Sequence, residues 1–168
     1  SMGEGTTLVL DGFGTSDAYG TYSNHIDGGE VQIGGGQDEA SAYVELTDHT
    51  SSFETATVMG DGHLLVNNVK GGLMFESLDI ASGGSATLNG TTGWMLDEAL
   101  TLDDGASLHL SAGGIANTIN FSGQTADNIR GSIFFTDSNL MLGGTTGTGG
   151  ASNADALQNA TVHVGEGF

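Results

Sequence analysis

Cysteine and proline are both missing from this chain of 168 residues. Without cysteine no disulfide can form, so stability must come from packing or from backbone hydrogen bonds. This suits a bacterial exported protein or a long repetitive one better than a small animal extracellular module. Without proline every residue keeps its backbone N–H for pairing, and chain reversals are left to asparagine, aspartate and the 30 glycines.

Basic residues are almost missing as well. Lys70 and Arg130 stand against 21 acidic residues, which gives a net charge of −19. Such a chain repels phosphate backbones and anionic lipids, so we expect no nucleic-acid partner. No hydrophobic run is long enough to span a bilayer, so we expect no direct membrane insertion of this segment. The acids are spread through turns and 37% of the residues are hydrophobic, which indicates a folded and soluble domain.

The first two residues, Ser1 and Met2, have the look of an expression-tag remnant, and no secretion signal follows them. We interpret residues 3–168 as a single domain, and we expect it to be a fragment of a longer exported protein.

Short alternating runs of apolar and polar residues fill the chain, and most end in Gly, Asn or Asp. The stretch "LTLDDGASLHLSAGG" (100–114) shows two such runs around an acidic glycine turn. This pattern is typical of strands separated by tight turns. Helical periodicity is confined to "DALQNA" (155–160), which indicates one turn of helix.

The runs recur along the chain with a period of roughly 20–23 residues, which is the length of one repeat in a solenoid. The residue pairs that this period relates are Leu78 with Leu100, Leu88 with Leu110, Leu8 with Val31, Val44 with Leu64, and Leu140 with Val162. A coil of this length holds two or three strands, and stacked coils pair each strand in parallel with its counterpart one turn along. The sequence therefore predicts an all-β fold, a right-handed parallel β-helix of seven or eight coils.

An antiparallel β-sandwich or jelly roll is the alternative fold, because its strands also recur, about every 8–12 residues. In that case the turn at 103–105 would close a two-stranded hairpin.

The elements "LTLDDGASLHLSAGG" and "LDIASGGSATLNG" (78–90) place aliphatic pairs around a Gly-rich turn, and they resemble the passenger domains of bacterial autotransporters and related β-helical surface adhesins. The resemblance covers 60–168, and more loosely 3–60. It implies a non-enzymatic, extracellular stalk or adhesive module at the bacterial cell surface. The implied partners are a host glycan, a host protein or another copy of the chain.

A secreted carbohydrate-active enzyme or glycan-binding module is the alternative function. The acidic pairs Asp38-Glu39, Asp97-Glu98 and Asp103-Asp104 could supply carboxylates for glycoside hydrolysis. The chain lacks the cationic residues that a polysaccharide lyase needs, and it has no nucleophile motif. We therefore expect no catalytic residues and no enzymatic activity.

No cofactor is expected, with calcium as the one candidate metal, because Gly-Asp turns can supply oxygen ligands. The residues to check are Asp11, Asp17, Asp103 and Asp104. Neither the calcium-binding glycine–aspartate repeat nor an EF-hand loop is matched by the sequence.

Aromatic residues in glycine-rich stretches are the candidate ligand-binding residues: Trp94, Tyr19 and Tyr22. Trp94 could stack on a sugar or cap the core beside Met95. His109 and His163 lie in the middle of alternating strands, so we expect both to point outward into solvent. If they shared one face they could form a weak metal site.

Overall fold

A computed structural model describes residues 5–36, 40–67, 73–89, 99–111, 118–119, 124–136, 139–140 and 153–165. Within these ranges the chain is almost entirely β-structure. The strands are β1 Thr7–Leu10, β2 Gly20–Tyr22, β3 Glu30–Ile33, β4 Ala42–Leu46, β5 Ser52–Val58, β6 Gly62–Asn67, β7 Met74–Ile80, β8 Ser85–Asn89, β9 Ala99–Leu102, β10 Ser107–Ser111, β11 Thr118–Ile119, β12 Ser132–Thr136, β13 Asn139–Leu140 and β14 Thr161–Val164. A 3-10 turn, Ala126–Asn128, and a helical turn α1, Asn153–Ala156, complete the described elements.

The strands form two long sheets and one short one. The five-stranded sheet has the order β1-β3-β5-β7-β9, the seven-stranded sheet has the order β2-β4-β6-β8-β10-β12-β14, and β11 pairs with β13. Every pairing between these strands is parallel. The chain therefore alternates between the two long sheets as a parallel β-solenoid of about five turns. The predicted parallel stacking is confirmed, the antiparallel sandwich is wrong, and the turns are fewer than the predicted seven or eight.

The strand register confirms most of the predicted repeat. Leu78 pairs with Leu100 and Leu88 with Leu110, both at the same spacing along the chain. Leu8 pairs with Val31, and Val44 with Leu64. The prediction that Leu140 aligns with Val162 is wrong: Leu140 pairs with Ile119, and Val162 pairs with Ile133, which lies further back in the chain.

The core is a single column of aliphatic and aromatic side chains between the sheets. Burial alternates along most of the described strands, as in β8 and β10, where the second and fourth residues are buried and their neighbours are not. Phe53 stacks on Phe75 in the next turn, with ring centroids 5.4 Å apart. Each inward residue contacts its counterpart one turn along, so each coil covers the apolar side chains of the coil before it.

Tight turns carry the chain from the five-stranded to the seven-stranded sheet. The N–H of Gly62 donates to the carbonyl oxygen of Met59 at 2.8 Å, and the N–H of Gly84 donates to that of Ala81 at 2.9 Å. The acidic turn at 103–105 is the third of this series, with the N–H of Ala106 donating to the carbonyl oxygen of Asp103 at 3.0 Å. Gly105 has φ of 87° there, a conformation that side chains disfavour. This turn is a corner of the solenoid and not the end of a hairpin.

The two ends of the solenoid differ. At the N-terminal end Leu8, Phe13 and Tyr22 pack against the core. At the other end, Ala156 and Leu157 are buried. The side-chain amide of Asn159 holds that segment to the 3-10 turn by donating to the carbonyl oxygen of Ala126 at 3.3 Å. Among the described residues, no helix has the length and apolar character needed to cross a bilayer.

Candidate functional site

Charge is distributed unequally between the two long sheets. The strands of the five-stranded sheet carry four acidic residues: Glu30, Glu54, Glu76 and Asp79. The strands of the seven-stranded sheet carry one, Glu45. In a chain with 21 acidic residues, the larger sheet therefore presents an almost uncharged surface. We call this surface the neutral face and define it by the outward residues Thr21, Tyr43, Glu45, His63, Leu65, Asn67, Ser85, Thr87, Asn89, Ser107, His109, Ser111, Ser132, Phe134, Thr136, Thr161 and His163.

Rings are stacked on the neutral face at its N-terminal half. Tyr43 lies on His63 with centroids 4.3 Å apart and the planes 13° from parallel. Tyr19 meets Tyr43 edge-on at 5.4 Å. The Nδ1 atom of His63 lies 2.7 Å from the Ser85 hydroxyl, on the next strand. Burial lowers the pKa of His63, although the nearby Asp61 carboxylate opposes that shift.

A second stack occupies the C-terminal half of the same face. Phe134 lies between His109 and His163, at 4.4 and 4.3 Å, with all three rings nearly parallel. Burial lowers the pKa of His109. Both histidines point outward, as predicted. They occupy one face, but the phenyl ring of Phe134 separates them, so a metal ion between the two imidazoles is excluded.

Amide side chains form a short ladder beside the rings. The side-chain amide of Asn89 donates to the amide oxygen of Asn67 at 2.9 Å. The amide of Asn67 in turn donates to a carboxylate oxygen of Glu45 at 3.3 Å. The one acidic group of the face is thus engaged within it.

The stacking determines what this face can bind. A ring covered on both sides presents only its edge to solvent, so a sugar cannot lie flat on Phe134. What remains available are ring edges, hydroxyl groups and amides, on a regular lattice of about 4.8 Å between strands. This arrangement suits hydrogen bonding to an uncharged polar partner.

Two of the three predicted ligand-binding residues, Tyr19 and Tyr22, lie within the part of the chain that the structure describes. Tyr19 is half-buried against Tyr43, and burial, with a smaller contribution from Tyr43, raises the pKa of its phenol. Tyr22 packs against the core and helps to close the N-terminal end. Trp94 lies outside the described residues. The structure therefore places Tyr19 next to the neutral face and gives Tyr22 a packing role.

The four calcium candidates are spread over the solenoid. Asp11 follows β1, whereas Asp103 and Asp104 follow β9, four strand positions further along the same sheet. That separation is about 19 Å. Asp17 is exposed in the loop between β1 and β2. Within the described ranges, no three His, Cys, Asp or Glu residues are grouped to hold a metal ion.

Of the three acidic pairs considered for glycoside hydrolysis, Asp103-Asp104 is the one that lies within the residues that the structure describes. Asp103 and Asp104 lie in a corner turn of the solenoid, whereas the pairs 38–39 and 97–98 fall outside the described residues.

The stacked rings are the feature that sequence reasoning missed. His109, Phe134 and His163 lie on paired strands whose separation along the chain exceeds the repeat that the sequence displays. The Tyr43–His63 pair follows the same interval that relates Val44 to Leu64. The same interval, applied to the aromatic residues, could have predicted the Tyr43–His63 stack from the sequence.

Comparisons with known proteins add no relative. No family model matches the chain, and neither the curated proteins nor the solved structures gave a match. The fold itself defines the class, a parallel β-solenoid with one neutral and one acidic sheet face.

Proposed function

We propose that this chain is a non-enzymatic, extracellular stalk or adhesive module of a bacterial surface or secreted protein. It contacts a host glycan or protein through the neutral face. Other copies of the chain are further partners.

The observation that carries this proposal is the charge asymmetry between the sheets. A strongly acidic surface keeps a secreted rod soluble and free of nonspecific anionic partners. An adhesive surface instead needs groups whose desolvation costs little, and hydroxyls, amides and ring edges meet that need better than carboxylates. The neutral face provides those groups on seven consecutive strands.

Immobilised neutral glycans, acidic glycans and host matrix proteins test the proposal directly. We expect the chain to bind members of the neutral glycan or protein sets and to avoid the acidic glycans. The variant Thr87→Lys places a charge in the middle of the neutral face, between Leu65 and His109, and should weaken binding about tenfold or more.

Thr55→Lys is the matched control. Thr55 is also half-buried and outward, but it lies on the five-stranded sheet between Glu30 and Ser77. We expect it to bind as the unchanged chain does. Equal losses in the two variants, or no binding to any surface tested, would contradict the proposal. A loss on Trp94→Ala alone would instead indicate a lectin-like site centred on that residue.

A further inference from the structure

Two histidines of the neutral face, His109 and His163, belong to one stack with Phe134 between them. The nearest side chains along and across the described strands do not titrate: Thr87, Ser107, Ser111, Phe134 and Thr161. The one carboxylate of the face, Glu45, lies on β4, three strand positions from β10, which is about 14 Å. A proton taken up by these two histidines therefore adds a positive charge to an uncharged surface.

Two other histidines lie close to carboxylates. The Nδ1 atom of His25 is 3.1 Å from a carboxylate oxygen of Asp48, away from the neutral face. His63 is on the neutral face, but the Asp61 carboxylate lies near it. A proton on either of these rings is balanced locally by a negative charge. The His109–Phe134–His163 stack is different, because its charge would be left for a ligand to balance.

The ring edges are the accessible part of this stack, since the ring faces cover one another. The nitrogen atoms of an imidazole lie on its edge, and in the protonated ring both of them donate hydrogen bonds. The edge of a phenyl ring carries the positive part of its quadrupole. Once the histidines are protonated, the outer edge of the stack therefore presents hydrogen-bond donors and a positive potential.

The phenyl ring stabilises both charges. Its centroid lies 4.4 Å from that of His109 and 4.3 Å from that of His163, within the range at which a cation is attracted to a ring face. The two imidazoles are two strand spacings apart, about 9–10 Å. Both attract an anion placed between them, over the edge of Phe134. The hydroxyl side chains of Ser132 and Thr136 flank Phe134 along β12.

We propose that the outer edge of the His109–Phe134–His163 stack is a carboxylate-binding site that fills at mildly acidic pH, and that its ligand is an acidic sugar of a glycan. This rests on the proposed function, to which it adds a second class of glycan and a dependence on pH. The carboxylate lies between the two imidazolium rings, and Ser132 and Thr136 meet the sugar hydroxyls. At neutral pH the stack is uncharged and the face prefers uncharged glycans.

Ordinary titration ranges set the pH window. Histidines take up a proton below about pH 6.5, and burial lowers the pKa of His109, so its charge forms further below that value. Aspartate and glutamate side chains stay ionised down to about pH 4–4.5. Between these limits the stack is positive while the five-stranded sheet stays negative.

A second copy of the chain is a poorer ligand than a glycan. The carboxylates of its five-stranded sheet have the right charge, but they come with all 21 acidic residues against two positive rings. An acidic sugar brings one charge and several hydroxyls. Those hydroxyls match the uncharged donors and acceptors that surround the stack on the neutral face.

Sialyllactose and lactose are matched probes, because they differ by one sugar that carries a carboxylate. Both are titrated into the full chain at about pH 5 and about pH 7.4, on either side of the histidine range, and binding is followed by nuclear magnetic resonance of the histidine rings. We expect sialyllactose to bind at least about tenfold more tightly at the lower pH. Lactose should bind equally at both. Sialyllactose should also raise the titration midpoint of His109, because it binds the protonated ring.

His163→Gln removes one of the two charges from an exposed position. We expect this variant to lose at least about fivefold of the gain that sialyllactose shows at acid pH. His25→Gln is the matched control, because His25 is also exposed but lies beside Asp48. It should keep the full gain. Circular dichroism of both variants checks that the fold is retained.

The proposal is overturned if sialyllactose shows no gain at acid pH, if His163→Gln keeps the gain, or if His25→Gln loses it equally. An equal gain with acetate would indicate a site for any small carboxylate, and would overturn the assignment to a glycan. Oligomers of the chain at acid pH without sugar would make a second copy the ligand instead. Binding of neutral glycans and host proteins at neutral pH is measured separately, so failure of this site leaves the proposed function standing.

Discussion

At the scale of single residues, the solenoid depends on a polar side chain that is placed where water cannot reach. Ser51 is fully buried, and its hydroxyl oxygen accepts the backbone N–H of Ile26 at 2.9 Å. The contact links the loops that follow β2 and β4. The Ser51 hydroxyl thus supplies an acceptor for a backbone N–H that strand pairing leaves without one at this corner.

Ser51→Ala removes that acceptor and leaves the N–H of Ile26 buried without it. We expect the free energy of unfolding to fall by about 1–3 kcal/mol, measured by urea denaturation. The neighbouring Ser52 has an exposed side chain, so Ser52→Ala should stay within about 0.5 kcal/mol of the unchanged chain. Similar losses for both would show that the buried hydrogen bond contributes little.

Burial of His109 makes stability depend on pH. Its pKa is lowered in the folded chain, so the unfolded chain takes up a proton first as the pH falls. The free energy of unfolding should therefore decrease as the pH drops through about 6.5, the ordinary histidine value, until the lower folded pKa is reached. His63 contributes in the same direction.

Nuclear magnetic resonance titration of the His109 ring measures this directly. We expect a midpoint below about 6.5 in the unchanged chain. In Phe134→Ala the ring that covers His109 is gone, so the midpoint should rise toward the ordinary value. A midpoint that is unchanged by this substitution would remove Phe134 as a cause of the burial.

At the scale of elements, small residues line the corner at which the chain passes from the five-stranded sheet to the seven-stranded sheet. Strand register stacks Gly62, Gly84, Ala106 and Gly131 in one column. A Cβ atom at Gly84 would lie 2.5 Å from the carbonyl oxygen of Met59 in the preceding turn. The close approach of successive turns, rather than backbone conformation, requires glycine there.

Gly84→Ala should lower the free energy of unfolding by about 3 kcal/mol, because the carbonyl that it meets belongs to the hydrogen-bonded backbone. The reverse change one turn along, Ala106→Gly, should cost only about 1 kcal/mol. Thermal and urea unfolding of the two variants compare them. Equal losses of unfolding free energy in the two variants would mean that successive turns can move apart to admit the added methyl group.

The strands and their pairing can be predicted from the sequence where successive turns of the solenoid have the same length. The strands around 78–88 and 100–110 have turns of equal length, so one constant shift along the chain finds the true register. The pairing of Leu140 with Val162 fails because alternating aliphatic residues match at any even shift. The true partners, β12 and β14, are separated by the long segment that contains α1.

At the scale of the whole molecule, excess negative charge opposes the stacking that builds the solenoid. Two basic residues against 21 acidic ones leave most carboxylates without a cationic neighbour. The neutral face is the exception, and neither it nor its stacked rings follow from composition. Composition counts charges along the chain, whereas the face depends on which residues alternate outward on seven strands.

Raising NaCl from about 0.02 to about 0.5 M should screen this repulsion and stabilise the fold. We expect a gain of about 1–2 kcal/mol, or about 2–8 °C in the melting temperature. At equal ionic strength CaCl2 and MgCl2 should act alike. An additional rise with calcium that disappears in Asp103→Asn would instead indicate a calcium site in the corner turns.

Nuclear Overhauser contacts between neighbouring strands test the parallel solenoid most directly. We expect cross-peaks between residues one turn apart, such as the backbone protons of Ser85 and Ser107 and the methyl groups of Leu78 and Leu100. Short Hα–Hα contacts between β9 and β10 across the Asp103–Ala106 turn would show an antiparallel hairpin there, and would contradict the fold and the face it displays.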